Sequence, residues 1–240
     1  MPGVNLEYAS GELRLTGYVV GQEQASPRPG ILILHGGGGL DAHAREQAHR
    51  YAGLGYVVLA ADLFGRDGTA TREGILATIA TLREDRDLLC ERTSAALETL
   101  RNLALCSGPV GLVGFCFGGM AALEFARSGA AVEAAVSIHG ALSTNRPAAP
   151  DSVRASLLVC HGARDPHVPM ADVTAFTTEM DQARARWELV MYGGAVHGFT
   201  HRDAVGPGVR PGVEYDEIAD RRSFALAAAF LAETFETRVA

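Results

Sequence analysis

The sequence is poor in the features that mark secreted, membrane and nucleic-acid-binding proteins. It has 240 residues and a formal net charge of −7, with no run of lysine or arginine. A surface of this sign attracts neither nucleic acid nor an anionic membrane, so we expect neither as a partner. No apolar stretch reaches the roughly 18 residues of a membrane span. The amino-terminal residues lack the basic and apolar segments of a secretory signal, which favours a cytoplasmic protein.

Cysteine is also scarce, and its four positions show no disulfide framework. Cys90, Cys106, Cys116 and Cys160 form no C-x-x-C pair, so we expect reduced thiols, as in the cytoplasm. The eight histidines likewise show no H-E-x-x-H or paired metal-binding spacing. A metal site built from histidines is an alternative, but we expect neither a metal nor a cofactor.

Strand patterns alternate with helical patterns along the whole chain. Apolar residues make up 48% of the sequence, enough for a sizeable core, and no repeat or low-complexity segment divides it. We therefore expect one domain spanning residues 1–240. Such alternation predicts an α/β protein with a mostly parallel central sheet, an antiparallel amino-terminal strand and helices on both faces.

The boundaries follow from the apolar runs and their flanking glycines and prolines. After an antiparallel hairpin at residues 4–19, buried strands are predicted at 31–34, 56–60, 110–113, 132–138, 156–160 and 187–192. Helices are predicted at 41–54, twice within 71–105, after residues 119 and 169, and at 214–237. Parallel strands end at one edge of a sheet, where ligands usually bind.

Residues 114–119 (GFCFGG) have the pattern of a sharp strand-to-helix turn. The central residue, Cys116, needs a strained backbone, and Gly114 and Gly118 remove Cβ atoms that would clash there. This is the Gly-x-Ser-x-Gly nucleophile elbow of an α/β-hydrolase, with cysteine in place of serine. At the amino end of a helix, the sulfur is favoured as a thiolate. The alternative is a buried cysteine in an ordinary glycine-rich turn.

Two further residues follow strand ends in the order that this elbow requires. Asp165 lies in a stiff loop after the 156–160 strand, and His197 lies in a glycine-bounded loop after the 187–192 strand. His197 would share the Cys116 proton and Asp165 would hold the other ring nitrogen. Taken singly, Asp165 is a common turn residue before proline and His197 an exposed loop residue. Together they predict a catalytic triad.

The donors for a developing oxyanion are expected from two backbone segments. One is the N–H of Phe117, directly after the nucleophile. The other comes from the glycine run after the 31–34 strand, at Gly36 or Gly37. The alternative for that run is a flexible loop. His35, His139 and His161 also follow strands, and we interpret them as structural hydrogen-bonding residues.

These motifs together resemble the dienelactone hydrolases, cysteine-nucleophile members of the α/β-hydrolase superfamily. The resemblance runs over nearly the whole chain and is densest at residues 114–119, 162–169 and 194–199, with 55–64 also typical. It implies an α/β-hydrolase fold and a carboxylic ester hydrolase acting on a small ester or lactone. It also implies a triad and a pair of backbone oxyanion donors: Cys116, Asp165 and His197, with Phe117 and Gly37.

The sequence departs from this family where the substrate is bound. The family's glutamate beside the thiol falls at Gly36 here. Of its two substrate-binding arginines, the first is matched most nearly by Arg72, and the second falls at His201, with Arg202 adjacent. Replacing arginine by histidine loses a permanent charge and a bidentate donor. The resemblance therefore implies hydrolysis by a cysteine nucleophile, while these departures leave open whether a dienelactone or another ester is the substrate.

Three functions follow from these observations. The first is a cytoplasmic dienelactone hydrolase-like esterase, monomeric or homodimeric, which forms an acyl-enzyme on Cys116. The second is a general carboxylesterase, thioesterase or amide hydrolase of the same fold with a different acyl pocket. The third is a hydrolase-fold protein that binds a small molecule or a partner without turnover. The missing glutamate favours it, and the complete Cys-His-Asp set opposes it.

Overall fold

The protein is built on one twisted sheet. The computed structural model describes residues 2–22, 26–65 and 71–236. Its strands are β1 (Val4–Ser10), β2 (Leu13–Val20), β3 (Arg28–Leu34), β4 (Val57–Ala61), β5 (Cys106–Phe115), β6 (Ala134–Ile138), β7 (Ser156–Gly162) and β8 (Arg186–Tyr192). They pair in the order β1-β2-β4-β3-β5-β6-β7-β8.

Strand direction divides the sheet into a hairpin edge and a parallel body. β2 is antiparallel to both β1 and β4, and every other neighbouring pair is parallel. The central strands are apolar on both faces because helices cover both sides, and all five residues of β4 and of β6 are buried. The predicted α/β fold with an antiparallel amino-terminal strand is confirmed.

Helices pack in two layers around the sheet. In the described residues they are α1 (Ala42–Ala52), α2 (Arg72–Glu84), α3 (Arg86–Arg101), α4 (Phe117–Arg127), α5 (Met170–Gln182) and α6 (Glu217–Glu236). One core contains Tyr51 of α1 and Leu231 of α6. The other contains Leu89 of α3, Met120 of α4 and Phe176 of α5. None of these helices has both the length and the apolar composition needed to cross a membrane.

Side-chain caps explain several helix boundaries. Asp41 accepts a hydrogen bond from the N–H of Ala44 at 3.0 Å and begins α1. Asp85 has extended backbone angles, so α2 ends there, and its carboxylate caps α3 through the N–H of Leu88 at 2.9 Å. The prediction of two helices within residues 71–105 is thereby confirmed.

Several predicted boundaries were wrong, by up to four residues. β3 begins at Arg28 rather than at residue 31, because Arg28 already pairs with Cys106 of β5. β5 begins at Cys106 rather than at Val110, because Cys106 pairs with Arg28 before the register shift that lies between Arg28 and Gly30.

α6 begins at Glu217 rather than at residue 214. The backbone N–H groups of Glu214 and Asp216 donate to His197 O and Phe199 O, so these residues pair with the 197–199 loop and are not helical. The expected last residue of that helix, Thr237, lies outside the described residues.

The parallel strands bring five loops to the same edge of the sheet. β3, β5, β6, β7 and β8 all end there, and the loops that follow hold Gly37, Cys116, His139, Asp165 and His197. The topology therefore collects residues from distant parts of the chain into one place.

Candidate active site

The turn between β5 and α4 forces Cys116 into a conformation that few side-chain-bearing residues adopt. Its backbone angles are φ 52° and ψ −111°, a strain that costs on the order of 1–3 kcal/mol. A Cβ atom at Gly114 would lie 1.9 Å from the carbonyl oxygen of Gly118, and one at Gly118 would lie 2.0 Å from that of Leu34. Both positions therefore require glycine, and the turn presents the Cys116 side chain at the edge of the sheet.

The structure brings the three predicted triad residues into one hydrogen-bonded row. His197 Nε2 lies 3.1 Å from Cys116 Sγ, and His197 Nδ1 lies 2.8 Å from Asp165 Oδ2. The other carboxylate oxygen of Asp165 accepts a hydrogen bond from the N–H of His167 at 2.7 Å. Asp165 is buried, so its orientation is held by these two bonds rather than by solvent.

The electrostatics of this row favour a charged pair. Burial would raise the pKa of the Cys116 thiol, but the hydrogen bond and charge of His197 and the backbone N–H groups of Phe117 and Gly37 together lower it. Burial would lower the pKa of His197, yet its bonds to Asp165 and Cys116 raise it to about 9. Both shifts favour the charged form of the row, with a thiolate, an imidazolium and a carboxylate.

The two predicted oxyanion donors lie on the same side of the site as the nucleophile. The backbone N–H groups of Phe117 and Gly37 are both near enough to the Cys116 sulfur to help lower its pKa. Phe117 is the first residue of α4, so its N–H is free of partners within the helix. His35 fixes the loop of the second donor, because its Nδ1 donates to Gly36 O at 2.7 Å and its Nε2 accepts from the N–H of Leu63 at 3.1 Å. This agrees with the structural role predicted for His35.

A cavity of about 330 Å³ opens beside this sulfur. Its wall is mostly apolar where it is formed by α2, α4 and the loops that contain Ala141 and Val168. The wall also includes two arginines. The lining residues are Gly37, Leu76, Ile79, Arg83, Cys116, Phe117, Met120, Ala141, His167, Val168, His197 and Arg210. Such a cavity suits a small organic group with a charged end.

Of the four residues predicted to contact substrate, two lie near the nucleophile and two are exposed at the surface. A Cβ atom at Gly36 would lie 3.7 Å from the Cys116 Cβ and 3.8 Å from the His201 ring, so Gly36 adjoins the nucleophile and His201 adjoins Gly36. Arg72 is exposed at the first position of α2 and does not line the cavity. Arg202 is also exposed and pairs with Glu46 at 3.1 Å.

Sequence reasoning missed the two arginines that do line the cavity, Arg83 and Arg210. Arg83 shares a helix face with Leu76 and Ile79, since their spacing of three and four residues repeats with the helical period. That spacing was a usable signal. Arg210 lies in a glycine- and proline-rich segment without periodicity, and only the folded chain shows where it points.

The remaining histidines near the site do not form a metal centre. In the part of the chain that the structure describes, no three histidine, cysteine or acidic side chains are grouped as metal ligands would be. His43 and His201 stack with ring centroids 3.8 Å apart. His161 was predicted to be a structural hydrogen-bonding residue, but its buried Nδ1 has no partner within the described residues.

Comparison with known proteins adds an independent line of observation. The profile of the dienelactone hydrolase family matches residues 15–235. A Bradyrhizobium protein named probable 2-oxo-3-(5-oxofuran-2-ylidene)propanoate lactonase is 29% identical over 212 residues, which cover 82% of this chain and 84% of the relative.

Two solved structures superpose over nearly the whole chain. A protein called m3DLH is 35% identical with a TM-score of 0.89, and each chain is covered to 98%. A dienelactone hydrolase-like promiscuous phosphotriesterase from metagenomic libraries is 34% identical, also with a TM-score of 0.89 and 98% of each chain covered.

Proposed function

Because the chain belongs to the dienelactone hydrolase family, we propose that it hydrolyses small esters or lactones through an acyl-enzyme on Cys116. The observation that carries this proposal is the hydrogen-bonded row of Cys116, His197 and Asp165, with the backbone N–H groups of Phe117 and Gly37 near the sulfur. Four free cysteines fit the predicted cytoplasmic location.

In the proposed reaction the Cys116 thiolate attacks the acyl carbon of the substrate. The carbonyl oxygen becomes an oxyanion and accepts hydrogen bonds from the N–H groups of Phe117 and Gly37. The carbon–oxygen bond of the ester then breaks, and the His197 imidazolium gives its Nε2 proton to the leaving oxygen. This leaves a thioester on Cys116 and a neutral His197.

Water completes the cycle. Neutral His197 takes a proton from a water molecule, which attacks the thioester carbon and forms a second oxyanion at the same two donors. Collapse releases the carboxylic acid product and restores the thiolate and imidazolium. Asp165 keeps its negative charge throughout and holds the ring in the orientation that points Nε2 at the sulfur.

We propose that the preferred substrates carry a negative charge. Arg83 and Arg210 line the cavity beside Cys116, and neither has an ion pair with another described residue. Guanidinium groups in that position would bind a carboxylate bidentately. Leu76 and Ile79 would contact the apolar part of the acyl group.

Removal of the sulfur tests the mechanism. Cys116→Ala should reduce turnover of p-nitrophenyl acetate by about 10³-fold or more, because the covalent route is lost. Cys90→Ala, which removes a partly buried thiol from α3, is the matched control and should retain wild-type activity. Cys116→Ser should retain measurable activity. Retention of activity by Cys116→Ala would exclude the proposed mechanism.

A second candidate is phosphotriester hydrolysis at the same site. The 34% identity to a promiscuous phosphotriesterase supports it, as does the absence of a side chain at Gly36, next to Cys116. Diethyl p-nitrophenyl phosphate would be the test substrate, and Cys116→Ala should abolish its turnover. Absence of turnover on both substrate types, with Cys116 unreactive to iodoacetamide, would instead favour a binding protein.

A further inference from the structure

His139 occupies an unusual position between the nucleophile and the loop of His197. It follows β6, is fully buried and has φ 42°, a left-handed conformation that few non-glycine residues adopt. Its backbone N–H donates to Cys160 O at 2.9 Å, which ties it to the end of β7. Two strained residues, Cys116 and His139, therefore lie next to each other at the ends of neighbouring strands.

The two ring nitrogens of His139 contact different segments. Nδ1 lies 3.1 Å from the backbone nitrogen of Cys116, whose N–H also reaches Ile138 O at 3.0 Å. Nε2 lies 2.8 Å from the hydroxyl of Thr200, which is three residues beyond His197. The same hydroxyl lies 3.0 Å from His43 Nε2.

The directions of these bonds are fixed by chemistry. A backbone N–H can only donate, so His139 Nδ1 accepts and its proton is on Nε2. Nε2 then donates to Thr200, and the Thr200 hydroxyl donates to His43 Nε2. The Gln47 amide, 3.3 Å from the same His43 nitrogen, is also a donor and agrees with that direction. The chain is continuous from the Cys116 backbone to α1.

We infer that His139 is a positioning residue. It holds the Cys116 backbone and, through Thr200, the His197 loop in a fixed position relative to each other. The inference rests on the proposed role of Cys116 as nucleophile. A strained backbone persists only where its surroundings over-determine it, and the N–H bond to His139 supplies one such restraint at Cys116. Thr200, itself buried, supplies the corresponding restraint for the loop that carries His197.

His139 must remain neutral for this role, since a protonated Nδ1 could not accept the Cys116 N–H. The titratable groups that face it are His197, His201 and His43. Burial, followed by the charge on His197, places the pKa of His139 well below its ordinary value. His43 and His201 also have lowered pKa values, both chiefly through burial. Of these four histidine rings, only His197 is therefore protonated at neutral pH.

The experiment interrupts this series of hydrogen bonds at Thr200 and at His139. Thr200→Val removes the hydroxyl and keeps the shape, and Thr200→Ser restores the hydroxyl. His139→Asn keeps an acceptor near the Nδ1 position and tolerates positive φ, but it cannot reach Thr200. Thr93→Val, which removes an equally buried hydroxyl bonded to Leu89 O within α3, controls for the loss of a buried hydrogen bond.

Two quantities are measured for each folded variant: the pH profile of Cys116 alkylation by iodoacetamide, and kcat and KM for p-nitrophenyl acetate. Thr200→Val and His139→Asn should each lower kcat about tenfold with KM nearly constant, the loss expected from one hydrogen bond, and should shift the alkylation profile to higher pH. The double variant should be no worse than either single one, because both cut the same bond. Thr200→Ser and Thr93→Val should match the wild type.

A purely structural role predicts something else. Lower melting temperatures with unchanged alkylation and kcat in Thr200→Val would overturn the inference, and so would equal losses in Thr93→Val. If His139→Asn does not fold, Thr200→Val decides alone. Absence of esterase activity in the wild type would contradict the proposed function, while the alkylation profiles would still decide the role of His139.

Discussion

His197 Nε2 lies 3.1 Å from Cys116 Sγ, although 81 residues separate the two in the chain. This contact, with Asp165 on the far side of the ring, makes the sulfur the most acidic of the cysteines. Burial raises the pKa of the Cys90, Cys106 and Cys160 thiols, whereas the pKa of Cys116 is lowered. Selective reactivity of one thiol among four is therefore expected.

The pH dependence of alkylation should show this pair directly. Because the pKa of Cys116 is lowered, its thiolate should predominate at a pH below the value of about 8.5 at which free cysteine titrates. The iodoacetamide rate should then rise at a lower pH than it does for a free cysteine, and change again near pH 9, where His197 loses its proton. Peptide mapping should find the label on Cys116. A single rise centred on the pKa of free cysteine would contradict the charged pair.

Asp165→Asn should reduce catalysis without loss of substrate binding. The neutral amide removes the charge that helps to raise the pKa of His197, so the imidazolium is less stable and its ring less well oriented. We expect kcat for p-nitrophenyl acetate to fall about 10–100-fold with KM changed little. Asp172→Asn, at the start of α5, is the matched control and should stay near wild type. Equal activity of both variants would remove Asp165 from the mechanism.

Substrate charge should distinguish the cavity arginines from their exposed counterparts. Arg83→Gln and Arg210→Gln should each raise KM for a p-nitrophenyl ester with a free carboxylate by about 10-fold or more, the range for a charged hydrogen bond. The KM for a neutral ester of the same length should change little. Arg72→Gln and Arg202→Gln are the controls, since neither residue lines the cavity. Equal effects of all four substitutions would exclude the proposed anionic site.

A carboxylate beside the nucleophile should suppress the thiolate. The space next to Gly36 admits a side chain, because a Cβ atom there meets only ordinary contacts. Gly36→Glu would place a negative charge near the sulfur, raise the pKa of Cys116 and slow alkylation at neutral pH. Gly36→Gln, of equal size and no charge, is the control and should alkylate faster than Gly36→Glu. Identical profiles for the two variants would show that charge at this position does not reach the thiol.

The strand-end residues of the site could be predicted because the central strands are uniformly apolar. A buried parallel strand is an uninterrupted hydrophobic run, so its end is marked by the first glycine, histidine or aspartate that follows. Residues 31–34 and 156–160 were recognised in this way, and both runs lie within observed strands. The elbow was recognisable because its glycines are required by backbone contacts rather than by chance.

The substrate side of the cavity could not be predicted in the same way. Arg210 belongs to a segment held by loop contacts such as His197 N–H to Gly212 O at 3.1 Å, and no periodic pattern encodes these. Contacts with the same loop, such as Glu214 N–H to His197 O at 3.1 Å, keep residues 214–216 out of the expected helix. The predictions of one domain, a cytoplasmic location and a monomer or homodimer remain predictions.

The glycines of the elbow cannot be replaced without a steric clash, whereas the residues that line the outer cavity have room to vary. Gly114 and Gly118 face backbone atoms at distances that no side chain tolerates, so any exchange there would distort both oxyanion donors together. Leu76 is more than half exposed, and Arg83 and Arg210 face the same open cavity. Mutant libraries that seek new substrates should therefore diversify α2 and the segment around Arg210 and leave the elbow unchanged. The reactive centre would then be the same in every variant, and only the substrate preference of the cavity would change.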